Sequence, residues 1–149
     1  MENDRKLFAI VRVRGIRSVK PKLRKTFELL MLNKPNHCVV FHMSPQLMGM
    51  LNIVRDYIAF GEVSEKALGA LFVKRGTKGS AKLSALHKEG EIHSFAKDVF
   101  GEKKKVRDFA NPVFRLHPPR KGWKNLKLTY PFGDLGKRPN MDVLLKSMM

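Results

Sequence analysis

The sequence predicts an α+β fold of two layers, with three strands alternating with two helices over about the first sixty residues and a less regular, basic half behind them. Three observations carry this. Apolar residues alternate between two faces over residues 7–14, and short apolar runs follow near residues 37 and 57. Between those runs they recur at helical spacing, and Pro21 and Ser44-Pro45 mark the two helix starts.

The first strand is LFAIVRVR, residues 7–14. Leu7, Ala9, Val11 and Val13 fall on one face, and Phe8, Ile10, Arg12 and Arg14 on the other. The apolar face is expected to meet helices, while the other becomes charged toward its end. Gly15 closes the strand. Pro21 suits a first helical turn, where its missing N–H is no loss, and Leu23, Phe27, Leu30 and Met31 follow at helical spacing until Asn33-Lys34-Pro35 stops the helix. Residues 37–43 read as the second strand. Ser44-Pro45 forms an N-cap and first-turn pair for a helix carrying Leu47, Met50, Leu51 and Val54. Tyr57 to Phe60 is the third strand. Such an order gives an antiparallel or mixed sheet with both helices on one face, and leaves the other face for a partner.

Residues 63–149 are predicted to form an extension on this core of residues 1–62. Ser64 caps a helix through Ala67, Leu68, Leu71 and Phe72, ending at Lys74-Arg75 with Gly76 in the left-handed C′ position. Thr77 to Ser80 is a basic loop. Ile92, Phe95, Ala96 and Val99 mark another helix, with Gly101 after it. A strand-like piece, Val113 to Leu116, precedes a Pro/Gly-rich stretch, and Met141, Leu144, Leu145 and Met148 return to helical spacing.

The charge is lopsided: 30 Lys+Arg against 13 Asp+Glu give +17. Self-repulsion of that size opposes compaction unless a polyanion neutralises it, and nucleic acid is the leading candidate because each phosphate contact releases counterions. An anionic membrane would need a basic amphipathic helix with a large apolar face or a lipidation signal, and neither is evident. No apolar run approaches a membrane span, and the N-terminal MENDRKLFAI does not read as a signal peptide. The single cysteine, Cys38, stands in an apolar run and reads as a buried packing thiol in a reducing compartment.

The most informative segment is residues 115–139, RLHPPRKGWKNLKLTYPFGDLGKRP, which combines four prolines, three glycines and three aromatics with many cations. Pro118-Pro119 stiffens an extended backbone from which Arg115, His117, Arg120 and Lys121 project. Gly122 permits close backbone approach, and Trp123 offers a stacking face for a base or ribose. An ordered RNA-contacting extension is expected rather than a solvated loop.

RLHPPRKGW resembles the strand followed by Pro-Pro-Arg-Gly-Gly in the archaeal and eukaryotic branch of the large-subunit ribosomal proteins called L-thirty (L-seven in eukaryotic naming). GDLGKR is similar to that family's glycine-rich turn before a C-terminal helix, and FAIVRVRG, NHCVVF, YIAFGEVS and VKRG stand in the family's order. The resemblance spans nearly the whole chain. Lys121 departs from it by standing where a first glycine is usual, and Pro131-Phe132 by preceding the glycine turn. The resemblance implies a ferredoxin-like core, a three-stranded antiparallel sheet with two helices on one face, wrapped by an archaeal-type extension. It further implies a structural, non-catalytic place on the large ribosomal subunit in the cytoplasm, with large-subunit rRNA and neighbouring ribosomal proteins as partners.

Candidate RNA-binding residues follow from charge and position: Arg12, Arg14, Arg17, Lys20, Lys22, Arg75, Lys78, Lys103, Lys104 and Lys105, and in the extension Arg115, His117, Arg120, Lys121, Trp123, Lys124, Lys137 and Arg138. No cofactor, metal, catalytic group or small-molecule substrate is expected. His37 and His42 lie five apart in one strand and point to opposite faces. His87 and His93, with Glu89 and Glu91 nearby, come nearest to a metal set but lack a ligand spacing. Paired carboxylates and a P-loop are absent from the pattern, and Gly76-Thr77-Lys78-Gly79 is too short to signal phosphate binding. Two rival readings share the basic surface: an RNA-processing enzyme, which would turn over labelled rRNA, and a free-standing nucleic-acid-binding regulator, which would need base-reading side chains on a recognition helix.

Overall fold

The computed structural model describes residues 6–15 and 17–149; the first five residues, which belong to the stretch read as lacking a signal peptide, lie outside the described residues, as does Ile16. The first half follows the predicted order: β1 (Leu7–Arg12), α1 (Pro21–Leu29), β2 (His37–His42), α2 (Pro45–Val54) and β3 (Ile58–Glu62). Local chemistry fixes the boundaries. Pro21 opens α1, and the Ser44 hydroxyl accepts the Leu47 N–H at 3.1 Å to cap α2. β1 lies between β2 and β3 and is antiparallel to both, with Ala9 opposite Val40 and Gly61.

Among the described residues the sheet has five strands, not the expected three, in the order β6-β2-β1-β3-β7. β6 (Val113–Arg115) adds antiparallel to β2, and β7 (Gly136–Arg138) adds parallel to β3. Gly61 makes the second addition possible. A Cβ there would stand 2.5 Å from the Arg138 carbonyl oxygen and 2.9 Å from the Met141 side chain, so only a bare backbone lets β7 approach.

A second correction concerns the faces. Helices α1 and α2 cover the face of Phe8, Ile10, Val39, Ile58 and Phe60, through Phe27, Leu30, Leu47, Leu51 and Val54. This is the face that ends in Arg12. Leu7, Ala9, Val11 and Val13 face the opposite way, and that face is not left for a partner. It is filled by the chain's own second half, through Leu68, Leu71 and Phe72 of α3 (Glu65–Arg75), Ile92, Phe95 and Val99 of α5 (Glu89–Phe100), and Leu144, Leu145 and Met148 of α6 (Asp142–Met148). Phe72 sits at the centre, edge-on to Phe95 at 5.7 Å and Phe114 at 5.2 Å. With apolar side chains sealed on both faces, β1 is buried throughout, and each fully buried large side chain contributes about 1.5–3 kcal/mol.

The second half differs locally from expectation in two places, the end of α3 and the basic loop. Gly76 ends α3 with φ −65°, so no left-handed cap forms; the glycine is needed because a Cβ would strike the Phe72 carbonyl oxygen and stand 2.5 Å from Leu83 Cδ1. The basic loop is a hairpin, β4 (Thr77–Lys78) and β5 (Ala81–Lys82), turned at Gly79 with φ +63° and followed by a single turn, α4 (Leu83–Leu86). Residues 124–138 are tied together by Asp134, whose carboxylate accepts from the Asn125 N–H at 3.0 Å and the Arg138 guanidinium at 2.6 Å.

Candidate nucleic-acid interface

Antiparallel pairing collects the ends of several strands at one edge of the sheet. β1 finishes at Arg12, where β2 and β3 begin and β6 finishes: Arg12 stands opposite Ile58, and His37 opposite Arg115. The loops leaving these ends carry Arg14, Arg17 and Lys34. Arg14, Arg17, Pro35 and Tyr57 line one open cleft, with the Arg14 guanidinium 4.9 Å from the Tyr57 ring centroid. The His37 imidazole reports the crowding. Burial first, and then the charges of Arg115, Lys34 and Arg12, hold its pKa below the ordinary histidine value. Arg17, Lys34 and Arg115 are exposed around this edge, and Lys20 and Lys22 are exposed at the start of α1.

The Pro-Pro segment leaves β6 from the same edge. Its path is fixed by the end of α6: the His117 N–H donates to the Met148 carbonyl at 3.2 Å and the Arg120 N–H to the Ser147 carbonyl at 3.1 Å. The His117 ring contacts the Pro118 carbonyl at 2.6 Å. Lys121 and Gly122 turn the chain with φ +69° and +73°, closed by the Gly122 N–H on the Pro119 carbonyl. Arg120, Lys121, Lys124 and Lys137 are exposed, and Lys124 reaches the Pro131 carbonyl at 3.2 Å.

Four of the sequence-predicted residues are placed otherwise. Arg12 is 3% exposed; it donates to the Leu32, Arg14 and Gly15 carbonyls at 2.7, 3.1 and 3.1 Å and lies 3.9 Å from the Phe27 ring centroid. Burial lowers its pKa, and the carbonyl cage compensates the charge. Arg75 donates to the Met149 carbonyl at 3.1 Å, closing the C-terminal end of α6. Arg138 is held by Asp134. Trp123 packs half-buried against the main core rather than standing free for stacking. The exposed aromatic side chains of the segment are Tyr130 and, at 74% exposure, Phe132.

The remaining cations do not join this edge. Lys103, Lys104 and Lys105 lie beyond α5, near the far end of β2, where His42 stands 3.6 Å from Glu102; five steps along the strand separate the two ends by about 17 Å. Lys104 also pairs with Asp98 at 3.2 Å. Lys78 sits on the hairpin, which Asn111 braces by donating to Thr77 Oγ1 at 3.1 Å and to the Gly79 carbonyl at 3.0 Å. Lys34 and Tyr57 were not picked out from the sequence as site residues. In the sequence Lys34 belongs to the helix stop and Tyr57 to a strand, and the readable signal for Lys34 is a lysine beside a proline in a loop.

The histidines do not converge. His87 contacts Glu91 at 3.3 Å and lies against Phe109, whereas His93 fills the space above Gly69 of α3, where a Cβ would stand 2.5 Å from its Nδ1. Among the described residues no group of three His, Cys, Asp or Glu could hold a metal ion, and no helix is long and apolar enough to cross a membrane.

A family model described as ribosomal protein L30p/L7e matches residues 8–58. The chain is similar to the large ribosomal subunit protein uL30 of Archaeoglobus fulgidus, with 44% identity over 138 residues, 87% of this chain and 91% of that one. It is 38% identical to its counterpart in Methanocella arvoryzae over 85% of this chain and 88% of the relative. With that of Methanothrix thermoacetophila the identity is 35%, over 95% and 99%.

Proposed function

The chain belongs to the ribosomal protein L30p/L7e family, and from that premise we propose that it is a structural constituent of the large ribosomal subunit, not an enzyme, that clamps folded rRNA through the basic edge of its sheet. Residues 1–62 act as a ferredoxin-like core and residues 63–149 as the archaeal/eukaryotic-type extension that carries a second set of contacts. The partners are large-subunit rRNA and neighbouring ribosomal proteins, and the place of action is the ribosome in the cytoplasm.

The observation that carries this reading is the convergence of Arg14, Arg17, Lys34 and Arg115 on one strand edge, with the Arg120-Lys121 turn leaving from it. Four strand ends fix the spacing of these loops, so the cations meet a folded phosphate backbone with little ordering left to do. Arg12, Arg75 and Arg138 serve the same purpose indirectly. They hold the loops, Arg12 at the end of β1, Arg75 at the end of α6 and Arg138 through Asp134.

Binding of the full chain to its own large-subunit rRNA, measured from 50 to 200 mM salt, tests the reading. Six to ten phosphate contacts predict a loss of roughly 10³–10⁵ in affinity over that range by the duplex-derived rule. Charge reversal at Arg17 and Arg115 together is expected to flatten the salt slope while the far-UV spectrum stays unchanged. A flat wild-type response contradicts the reading.

A further inference from the structure

The far end of β2 opens onto a groove that the sheet-edge interface does not use. β6 pairs with β2 only as far as Val39, so among the described residues no strand covers the outer edge of β2 beyond it. Met31, Val40, Val99 and Val106 line a cavity of about 460 Å³ there, within the roughly 300–1,000 Å³ range of small-ligand clefts. His42 also lines it. Both of its ring nitrogens are shielded from solvent and have no hydrogen-bond partner among the described residues, with the Glu102 carboxylate 3.6 Å from Nδ1. The ring is half-buried, but its two shielded nitrogens border an apolar cleft, and a polar atom closed off from water without a partner is costly. Lys104, Lys105 and Arg107 complete the lining, all exposed; Lys104 also meets Asp98, and Arg107 reaches the Met31 sulfur at 3.3 Å.

We propose that this groove receives one unstacked nucleotide of the rRNA. The base lies against Val40, Val99 and Val106, its edge exchanges hydrogen bonds with His42 and Glu102, and the flanking phosphates meet Lys104, Lys105 and Arg107. Apolar walls, a pair of polar groups that can read a base edge, and cations outside are the parts that recognition of a splayed-out base requires. Charge decides between occupants. Lys104, Lys105 and Arg107 outnumber the carboxylates beside them, Glu102 and Asp98, and that excess complements a polyanion, whereas an uncharged peptide on the strand edge would leave it uncompensated. The proposal rests on the reading that the chain lies among rRNA, and it adds a second, base-specific contact about 17 Å of strand away from the first.

Two measurements on the full chain test it. In filter binding to its own large-subunit rRNA, His42→Phe removes both nitrogens at similar size and is expected to weaken affinity about tenfold with the salt slope unchanged, while His42→Gln retains most of it. If His42→Phe binds like wild type, the groove proposal falls and the sheet-edge reading stands; if wild type itself shows no salt-dependent binding, both fall. Ultraviolet cross-linking of the wild-type complex needs no variant to fold. A nucleotide attached to the peptides around residues 40–43 or 99–107 supports the proposal. Attachment only to residues 14–37 and 115–138 overturns it, as does a cross-link in intact subunits from this groove to another protein.

Discussion

Replacing Arg12 by methionine separates a structural cation from an RNA-binding one. The side chain donates to three carbonyls, of which Leu32 O is buried and Arg14 O and Gly15 O are partly so, and it lies on Phe27. Stranding the Leu32 carbonyl costs about 1–3 kcal/mol, and the two partly buried bonds add about 0.5–1.5 kcal/mol each, less what water restores. The cation–π contact, about 1–2 kcal/mol when desolvated, is partly replaced by a sulfur–aromatic contact. Relief of the guanidinium's own desolvation works the other way. The net expectation is about 2–4 kcal/mol of lost stability, a fall in melting temperature of roughly 4–16 °C at this size. Urea unfolding at constant m measures it, and rRNA binding of the folded fraction should keep the wild-type salt slope. A variant as stable as wild type whose salt slope drops by about 0.9, one phosphate contact, would refute the assignment.

Other consequences follow from burial and from Asp134. Val11 is fully buried between the sheet and α3, α5 and α6, so Val11→Asp sets an unpaired carboxylate in apolar packing and should leave the protein unfolded by circular dichroism; a soluble, fully structured variant would show the face to be misassigned. Asp134→Ala frees both the Asn125 N–H and the Arg138 guanidinium, so trypsin should cut at Lys124 or Lys127 at least tenfold faster, by about 1.4 kcal/mol of local opening, while the helix signal is kept. Burial pushes the Cys38 thiol pKa up to about 12. The folded state thus holds its proton where the unfolded chain, with an ordinary thiol near 8.5, releases it; the resulting stability is intact below that value and is lost as pH rises toward 12. At pH 8 a thiol reagent should modify Cys38 only at the rate of unfolding, and rapid modification of native protein would contradict its burial.

The elements that sequence made legible are those set by neighbours in the chain. Pro21, Ser44-Pro45 and Ser64 announce helix starts through capping chemistry that needs no tertiary partner, and each forms where the pattern places it. Of the two outer strands, Val113–Arg115 is legible as a strand-like piece, whereas Gly136–Arg138 is too short to show a periodicity; what positions it is the gap at Gly61, visible only once β3 and β7 meet. The covering of the second face was readable in principle. Leu7, Ala9, Val11 and Val13 on one side and Phe8 and Ile10 on the other make a strand apolar on both faces, the mark of a strand buried on both sides. Among the cations, exposure depends on what closes over the strand end. Arg12 and Arg14 stand two apart on the same face, yet one lies beneath the Leu32 carbonyl and the other opens to the cleft beside Tyr57. Lys121 takes φ +69° where the family resemblance leads one to expect glycine, so that departure shows the position's need for a left-handed backbone rather than a different turn.

The measurement that bears most directly on the whole account is the sedimentation of a tagged copy from lysed cells at low salt. The chain should co-migrate with the large ribosomal subunit and with whole ribosomes, and molar salt should release it to the top of the gradient without unfolding it. Recovery chiefly as free protein at low salt, with large subunits present and the chain absent from them, would contradict it.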